Sequence, residues 1–150
     1  MRIAQPIQIL IMFSKKSVLI SALITFNCLP FLAWQEKPKF DLKASITRGA
    51  DIYNAQCMSC HMDNGAGLEG VIPPVAKADY LMNDKKRSIS QLLYGVSGPI
   101  KVNGVEYNGE MSGYEHLTNE EASDVLNYIR NSWGNKGDAV KPEEIKALRK

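Results

Sequence analysis

Residues 57–61 read Cys57-Met58-Ser59-Cys60-His61, a C-x-x-C-H pentad, and the rest of the chain has to be interpreted around it. The two-residue gap allows one tight turn to place both thiols on the same side, where they can add to the two vinyl groups of a porphyrin. The imidazole of His61, next along the chain, is then in position to ligate the iron. The spacing therefore predicts one c-type haem, attached covalently through Cys57 and Cys60.

Other uses of paired cysteines fit the sequence less well. A C-x-x-C pair also occurs in thioredoxin-like redox sites, in zinc sites and as a short disulfide. Zinc takes four ligands, and only His116 and the distant Cys28 remain to complete such a set. A thioredoxin-like site requires a βαβ context, which the pattern of this chain lacks. The adjacent histidine and the export signal described next favour haem attachment.

The first 34 residues have the pattern of an export signal. Residues 17–34 contain no charged side chain, and the stretch before them carries basic residues but no acidic one. A basic segment followed by an apolar one is typical of a secretory signal peptide. Thioether attachment of haem takes place outside the cytoplasm, so both features predict a periplasmic or otherwise extracytoplasmic protein.

Two alternatives stay open for this segment. Its apolar run approaches the ~20 residues that a membrane-spanning helix needs, so residues 1–34 are either a cleaved signal peptide or an anchor in the inner membrane. Cys28 leaves lipidation as a further option, although Thr25-Phe26-Asn27 is a poor lipobox. Met12 begins a more conventional signal than Met1 does, so translation from Met12 is an additional hypothesis.

The charge balance excludes one class of partner. The whole chain has a formal net charge of +2, but residues 1–34 contribute three basic residues and no acidic one, which leaves 15 basic against 16 acidic residues, or −1. Residues 45–134 hold 7 basic and 11 acidic residues, or −4. Such a surface does not favour nucleic acid, whose phosphates are neutralised by Lys and Arg.

Composition and periodicity divide the chain beyond the signal into three parts: a linker at 35–44, a domain at 45–134 and a charged tail at 135–150 with a short helix from Pro142. Three helices are predicted in the domain from their caps and the spacing of apolar residues. They run from a Ser45 cap through Gln56, from about Asp84 to Tyr94 with Gly95 as the stop, and from the capping box of Thr118 and Glu121 to Gly134.

The segments between these helices are irregular, with one exception. A loop rich in Gly and Pro is predicted at 63–80. Alternating residues around Asn103-Gly104 predict a β-hairpin over 100–107, followed by a Gly-flanked loop at 108–114. Short helices and one hairpin give a thin core for about 90 residues. A buried haem would supply the missing apolar bulk, so we expect the apo-protein to be poorly folded.

A haem that only transfers electrons needs a second axial ligand on the face opposite His61. Met111 lies 50 residues after His61 in a polar, Gly-flanked loop, whereas Met82 belongs to an apolar run that suits core packing. Met111 is therefore the predicted ligand. The other candidates by residue type are Met82 and His116, and also Met58, inside the pentad, and Met62, directly after it, neither of which can easily reach the opposite face.

Several further residues add to this pattern. They are Gly49 and Tyr53 before the pentad, Pro73-Pro74 after it, the stretch 107–111, and Val125, Leu126 and Tyr128 on the last helix. In these features residues 45–134 resemble the class I cytochrome c family. The resemblance implies an all-α fold of three or more short helices around one covalent haem, with a small β-hairpin before the distal-ligand loop. It also implies that the first and last helices cross closely at Gly49.

The resemblance carries two further implications and one departure. In the family a proline carbonyl accepts the hydrogen bond from the ring N–H of the proximal histidine, a role that Pro73 or Pro74 would fill here. Residues 73–135 are similar to cytochrome c domains of bacterial respiratory chains, some of them associated with copper nitrite reductases or periplasmic dehydrogenases. The family usually has proline after the distal methionine, whereas Ser112 follows Met111 here.

These features predict one-electron transfer by a haem iron that keeps both axial sites filled, and no enzymatic activity of the chain itself. The expected partners are a redox donor and a redox acceptor that bind transiently to a monomer, with membrane contact only through residues 17–34. One alternative is a haem subunit held in a dehydrogenase, nitrite reductase or oxidase complex, and another is a haem-based gas sensor or enzyme. Lys85-Lys86-Arg87 is interpreted as a solvated helix start; the functional hypotheses are a docking patch and, for Arg87, a haem propionate partner.

Overall fold

The computed structural model describes residues 39–150, which contain a compact unit from Phe40 to Lys150. The predicted signal or anchor, the hypotheses on Cys28 and Met12, and residues 35–38 of the predicted linker lie outside the described residues. The elements in chain order are α1 (Leu42–Gln56), α2 (Met58–His61), α3 (Asp79–Met82), α4 (Lys85–Tyr94), β1 (Val96–Val102), β2 (Val105–Met111), α5 (Asn119–Arg130) and α6 (Pro142–Leu148). No helix within 39–150 is long and apolar enough to cross a membrane.

The first helix begins earlier than predicted. Asp41 has an extended backbone, and its carboxylate accepts hydrogen bonds from the backbone N–H groups of Lys43 and Ala44, so α1 begins at Leu42. Ser45, the predicted cap, is fully buried instead, and its hydroxyl donates to the carboxylate of Asp124 on α5 at 2.6 Å. The prediction of Ser45 as the cap was wrong because this side chain makes a tertiary contact.

Helices α1 and α5 cross in close contact at Gly49. A Cβ atom at Gly49 would lie 2.0 Å from the backbone oxygen of Asp124, so only glycine allows this approach. The Asp124 carboxylate, 4% exposed as a residue, also accepts a hydrogen bond from Arg48 Nε at 2.6 Å. Arg48 therefore neutralises a charge that would be costly to bury alone.

Local signals define the ends of the next helices. Asp84 accepts a hydrogen bond from the backbone N–H of Arg87 at the start of α4, and Gly95 follows the helix with a φ of 81°. Thr118 and Glu121 form the predicted capping box at the start of α5. This helix ends at Arg130 and not at Gly134 as predicted. Its apolar residues pack with those of α1, α4 and α6 to form the main core.

The predicted hairpin is present and is longer than expected. Strands β1 and β2 pair antiparallel from Val102↔Val105 to Val96↔Met111. Asn103 and Gly104 connect them, with φ values of 50° and 85°, as a two-residue type I′ turn requires. Because the pairing continues to its last residue, Met111 ends a strand, whereas the sequence predicted a free loop from residue 108.

Residues 135–150 are folded onto the domain, where the sequence predicted a charged tail. Val140 and Ile145 are fully buried in the main core. The Asn127 side chain on α5 donates to the Val140 carbonyl oxygen at 2.8 Å and accepts from the Val140 N–H at 2.7 Å. Lys85 on α4 forms a 2.6 Å ion pair with Glu144 on α6, the helix predicted from Pro142.

Candidate haem site

A cavity of about 340 Å³ lies between the pentad, the loop after it, the hairpin and α5. This volume falls in the range of roughly 300–1,000 Å³ that is typical of cofactor pockets. Its wall is mostly apolar and includes Ile72, Val75, Leu81, Leu92, Val96, Ile100, Val102, Leu126 and Ile129. Six of the predicted site residues also line it: Cys57, Cys60, His61, Pro73, Pro74 and Met111.

The ring of His61 is oriented by the chain that follows the pentad. Its Nδ1 atom lies 3.0 Å from the carbonyl oxygen of Pro73, whereas Pro74 lines the cavity. A carbonyl oxygen only accepts hydrogen bonds, so Nδ1 carries the proton and Nε2 keeps its lone pair. Burial lowers the pKa of His61, against the opposing effect of the Pro73 bond, so the imidazole is neutral at pH 7. The donor atom that an iron would need is therefore available.

The two cysteines differ in exposure and neither is in a disulfide. Cys57 is 8% exposed, whereas Cys60 is exposed to solvent. Burial, with a smaller contribution from Cys60, raises the pKa of Cys57 to about 11. A thioredoxin-like thiol requires the opposite shift. Within residues 39–150 no group of three or more His, Cys, Asp or Glu is arranged to hold a metal ion, so a zinc site lacks ligands there.

Two aromatic side chains fix the backbone that leaves the pentad. The hydroxyl of Tyr53, a fully buried residue, donates to the Met62 carbonyl oxygen at 2.7 Å, and Trp133 Nε1 donates to the Asp63 carbonyl oxygen at 3.0 Å. The two rings pack against each other at a centroid distance of 5.0 Å. These hydrogen bonds join segments that no local pattern of the sequence connects.

Met111 enters the cavity wall from the end of β2. The other candidates for a second ligand lie elsewhere. Met58 lies within the pentad, Met62 directly follows it, and both are exposed, while Met82 and His116 are outside the cavity wall within the described chain. Met111 is thus the one of these five side chains that shares a cavity with His61.

The backbone around Met111 is held against the end of α4. A Cβ atom at Gly113 would lie 2.3 Å from the Leu93 carbonyl oxygen, so a larger residue would push the segment away from α4. The Tyr114 N–H donates to the Leu92 carbonyl oxygen at 2.9 Å, and the Tyr114 hydroxyl donates to the Gln56 carbonyl oxygen at 2.9 Å. Tyr114 therefore connects the Met111 segment to the residue just before Cys57, a role that the sequence did not indicate.

The basic triplet at 85–87 is engaged in contacts within the domain. Lys85 pairs with Glu144, and Lys86 is exposed. The Arg87 guanidinium lies 4.0 Å from the ring centroid of Tyr80 and donates a hydrogen bond to the Tyr80 carbonyl oxygen. Tyr80 lines the cavity and Arg87 lies behind it, with its Nε buried and without a partner among the described residues. The role of Arg87 as a propionate partner stays a prediction.

The chemistry of this cavity fits a covalent haem c. Two free thiols lie beside an imidazole whose Nε2 lone pair is available, and Met111, whose side chain carries a thioether sulfur, belongs to the wall of the same cavity. The rest of the wall is largely apolar, as a porphyrin requires.

Comparison with known proteins points to the same cofactor. A family model described as Cytochrome c matches residues 46–133. Cytochrome c-552 of Thermus thermophilus is 46% identical over 110 residues, which cover 67% of this chain and 83% of that protein. The cytochrome c subunit of the Gluconobacter oxydans alcohol dehydrogenase (quinone) is 31% identical over 105 residues, covering 67% of this chain but 22% of that subunit. The Pantoea cypripedii gluconate 2-dehydrogenase cytochrome c subunit is 31% identical over 106 residues, which cover 68% of this chain and 24% of that subunit.

Fold, cavity and relatives define an electron-transfer protein that carries a c-type haem. The chain belongs to the cytochrome c family, and its haem c is covalently attached through Cys57 and Cys60. The predicted family, the mostly helical fold with one hairpin, the cofactor and the electron-transfer function are thereby confirmed. As a member of this family the chain acts as an electron carrier, with redox proteins as its partners, and not as an enzyme.

Proposed function

We propose that His61 and Met111 are the two axial ligands of the haem iron, so that the protein is a one-electron carrier with no open site for a substrate. The observation that carries this proposal is that His61, whose Nδ1 is engaged by Pro73, and Met111 belong to the wall of the same apolar cavity. When bound, the haem supplies an iron that alternates between Fe(II) and Fe(III), at a potential that a methionine ligand raises.

The residues around the cavity hold the two ligands in place and keep water out. Pro73 holds the His61 ring and its proton, which keeps Nε2 directed away from the Pro73 carbonyl and increases its basicity. Tyr114 and Gly113 hold the Met111 segment close to α4 and to Gln56. Apolar side chains of α5 and the hairpin exclude water from the cavity. Ser112, in place of the usual proline, leaves this segment dependent on those contacts.

The ligand assignment is tested by Met111→Ala, with Met82→Ala as the matched control. We expect the absorption feature of the iron–methionine bond to be present in the oxidised wild type and in Met82→Ala, and to be absent from Met111→Ala. The Met111 variant should also have a lower reduction potential and, once reduced, should bind carbon monoxide rapidly. Loss of the feature in Met82→Ala alone would transfer the role to Met82. Rapid binding of carbon monoxide by the wild type would favour a sensor with an open site.

We further propose that the protein acts outside the cytoplasm, as a monomer that meets its donor and acceptor transiently. The basic and apolar pattern of residues 1–34 supports export, and covalent haem c is compatible with it. The N-terminal residue of the purified holoprotein distinguishes the two forms of export. A start near residue 35 indicates a cleaved signal, whereas retention of residues 17–34 indicates an anchor in the inner membrane.

A second candidate is a haem subunit held in a larger oxidoreductase. The similarity to cytochrome c subunits of two dehydrogenases favours it, although this chain matches only 22% and 24% of their lengths. Affinity purification from native membranes without crosslinking separates the two candidates. A carrier elutes alone, whereas a subunit elutes with a stoichiometric dehydrogenase or oxidase.

A further inference from the structure

The exposed residues at the mouth of the haem cavity come from parts of the chain that lack basic side chains. Its exposed lining residues are Gln56, Cys60, Val71, Gly109, Glu110 and Ser112. All of them belong to two chain segments, 49–76 and 102–129, that contain no Lys or Arg. These segments hold three and six acidic residues, respectively. Every Lys and Arg of the described chain, fourteen in number, therefore lies in other segments.

An exposed apolar side chain, that of Val71, also lines the mouth. The large hydrophobic residues that are most exposed within the described chain are Met58, Met62, Leu68 and Val71, and all of them belong to the 49–76 segment. Leu68 and Val71 share one tight turn, in which the Val71 N–H donates to the Leu68 carbonyl oxygen at 2.9 Å. That turn touches the hairpin, because a Cβ at Gly109 would lie 3.5 Å from the Val71 carbonyl oxygen. Val71, 59% exposed, thus stands between the cavity and solvent.

Acidic side chains border this apolar centre. Glu69 lies within the Leu68–Val71 turn, and Glu110 follows Gly109 at the cavity wall. Neither carboxylate makes a hydrogen bond or an ion pair within residues 39–150, so both are free to meet a partner. The nearest cation in the hairpin is Lys101, which lies opposite Glu106 in the strand register.

We infer that this mouth is the docking surface for a redox protein whose own surface has an apolar centre bordered by Lys and Arg. The proposal rests on the electron-transfer function and adds to it the chemistry of the partner. Apolar contact at Val71 and Leu68 brings the two redox centres close, while the acidic border attracts and orients a basic partner. The Lys85-Lys86-Arg87 triplet does not compete for this role, because Lys85 and Arg87 are engaged within the domain.

A binding experiment locates the surface without electron transfer. Tris(ethylenediamine)chromium(III) is a paramagnetic, redox-inert cation, and hexacyanochromate(III) is the corresponding anion. Added to the isotopically labelled reduced holoprotein at ~0.01 M ionic strength, where the Debye length is about 30 Å, the cation should broaden the amide signals of residues 66–71 and 106–110. The anion should broaden signals elsewhere. Broadening of the mouth by the anion would overturn the proposal.

A kinetic experiment uses matched variants. Glu69→Gln/Glu110→Gln removes two charges at the mouth, and Asp138→Asn/Glu143→Gln removes two exposed charges elsewhere. Oxidation of the reduced protein by tris(phenanthroline)cobalt(III), a cation with apolar ligands, should slow by about threefold in the mouth variant at low salt, and much less in the control. Oxidation by hexacyanoferrate(III) should become faster in the mouth variant. Val71→Ser should slow only the cobalt reaction.

The possible outcomes distinguish a failure of the docking surface from a failure of the electron-transfer function. Equal effects of the two double variants would mean that only net charge matters, and would overturn the docking surface. A faster reaction with hexacyanoferrate(III) at low salt than at high salt would indicate an anionic partner. Failure to exchange electrons with either reagent would instead contradict the electron-transfer function. Because Val71 and Glu110 line the haem cavity, the reduction potential of each variant is measured and the rates are compared at equal driving force, so that a change in the haem environment is separated from a change in docking.

Discussion

The two sides of the cavity are built in different ways. On the side of His61, α1 and α5 cross at Gly49, and hydrogen bonds from Tyr53 and Trp133 hold the chain that leaves the pentad. On the side of Met111, a two-stranded sheet forms the wall, and its own buried cluster consists of only Ala78, Val102 and Tyr107 within the described chain. The first side thus has many contacts within the protein, whereas the second has few of its own and would depend on the haem for packing.

This contrast predicts where the protein loosens without haem. In Cys57→Ser/Cys60→Ser, which cannot attach haem, hydrogen exchange of amides in β1 and β2 should accelerate by more than about 100-fold relative to the holoprotein. Amides of α1 and α5 near the crossing should accelerate much less, because their contacts do not involve the cavity. Mass spectrometry of exchanged peptides measures both regions in one sample. Equal acceleration in the two regions would show that the hairpin and the helix crossing depend equally on the haem.

The helix crossing should be the part least tolerant of added volume. Gly49→Val places methyl groups where even a Cβ would lie 2.0 Å from the Asp124 backbone oxygen. We expect the free energy of unfolding of the holoprotein to fall by about 3 kcal/mol in urea titrations. Thr47→Val, an exposed change on the same helix, is the control and should cost far less. A similar loss in both variants would show that the close approach is not what limits the crossing.

Two tyrosines allow a matched test of the two sides. Tyr53→Phe removes a fully buried hydroxyl that donates to the Met62 carbonyl oxygen, and Tyr114→Phe removes a half-buried one that donates to the Gln56 carbonyl oxygen. Because Tyr53 is buried more deeply than Tyr114, the first variant should lose about 1 kcal/mol of unfolding free energy and the second about 0.5. Tyr114→Phe should weaken the iron–methionine absorption more than Tyr53→Phe does. If Tyr53→Phe weakened the iron–methionine absorption more than Tyr114→Phe did, the Met111 segment would depend on Tyr53 and not on Tyr114.

The smallest effect is expected at the capping box of α5. Hydrogen bonds from the backbone and side chain of Thr118 lower the pKa of Glu121 below its ordinary value of 4.5. Because the folded-state pKa is lower than the ordinary value, the ionised Glu121 side chain stabilises the fold at pH values above 4.5. This contribution disappears as the pH falls through the folded-state pKa. The urea midpoint of the wild type should therefore slightly exceed that of Glu121→Gln at pH 7, and the difference should close below pH 4.5. Glu120→Gln, which leaves the capping box intact, is the matched control.

The sequence predicted well the elements whose signals are local. The caps at Asp84 and Thr118 and the Asn103-Gly104 turn depend on neighbours within a few residues, so α4, the start of α5 and the hairpin were placed correctly. The pentad predicted the haem for the same reason, since its chemistry is contained in five consecutive residues.

Long-range contacts account for what the sequence did not reveal. Ser45 has the residue type of a cap, but its partner is Asp124, and Asp41 caps the helix instead. Val140 and Ile145 stand among charged residues and gave no helical period, although both are fully buried against α5. The site contacts of Tyr114 and Trp133 likewise join residues 58 and 70 positions apart.

The contact between Ser45 and Asp124 has a consequence for how the domain folds. These residues are 79 positions apart, so the crossing closes a long loop, and the entropy of closure is lost before the contact stabilises anything. A haem bonded at Cys57 and Cys60 offers a rigid apolar surface to chain segments from Gln56 to Ile129. These segments can collect on it one after another, which divides the closure into shorter loops. The group that carries the electron would therefore also shorten the loops that the chain has to close as it folds.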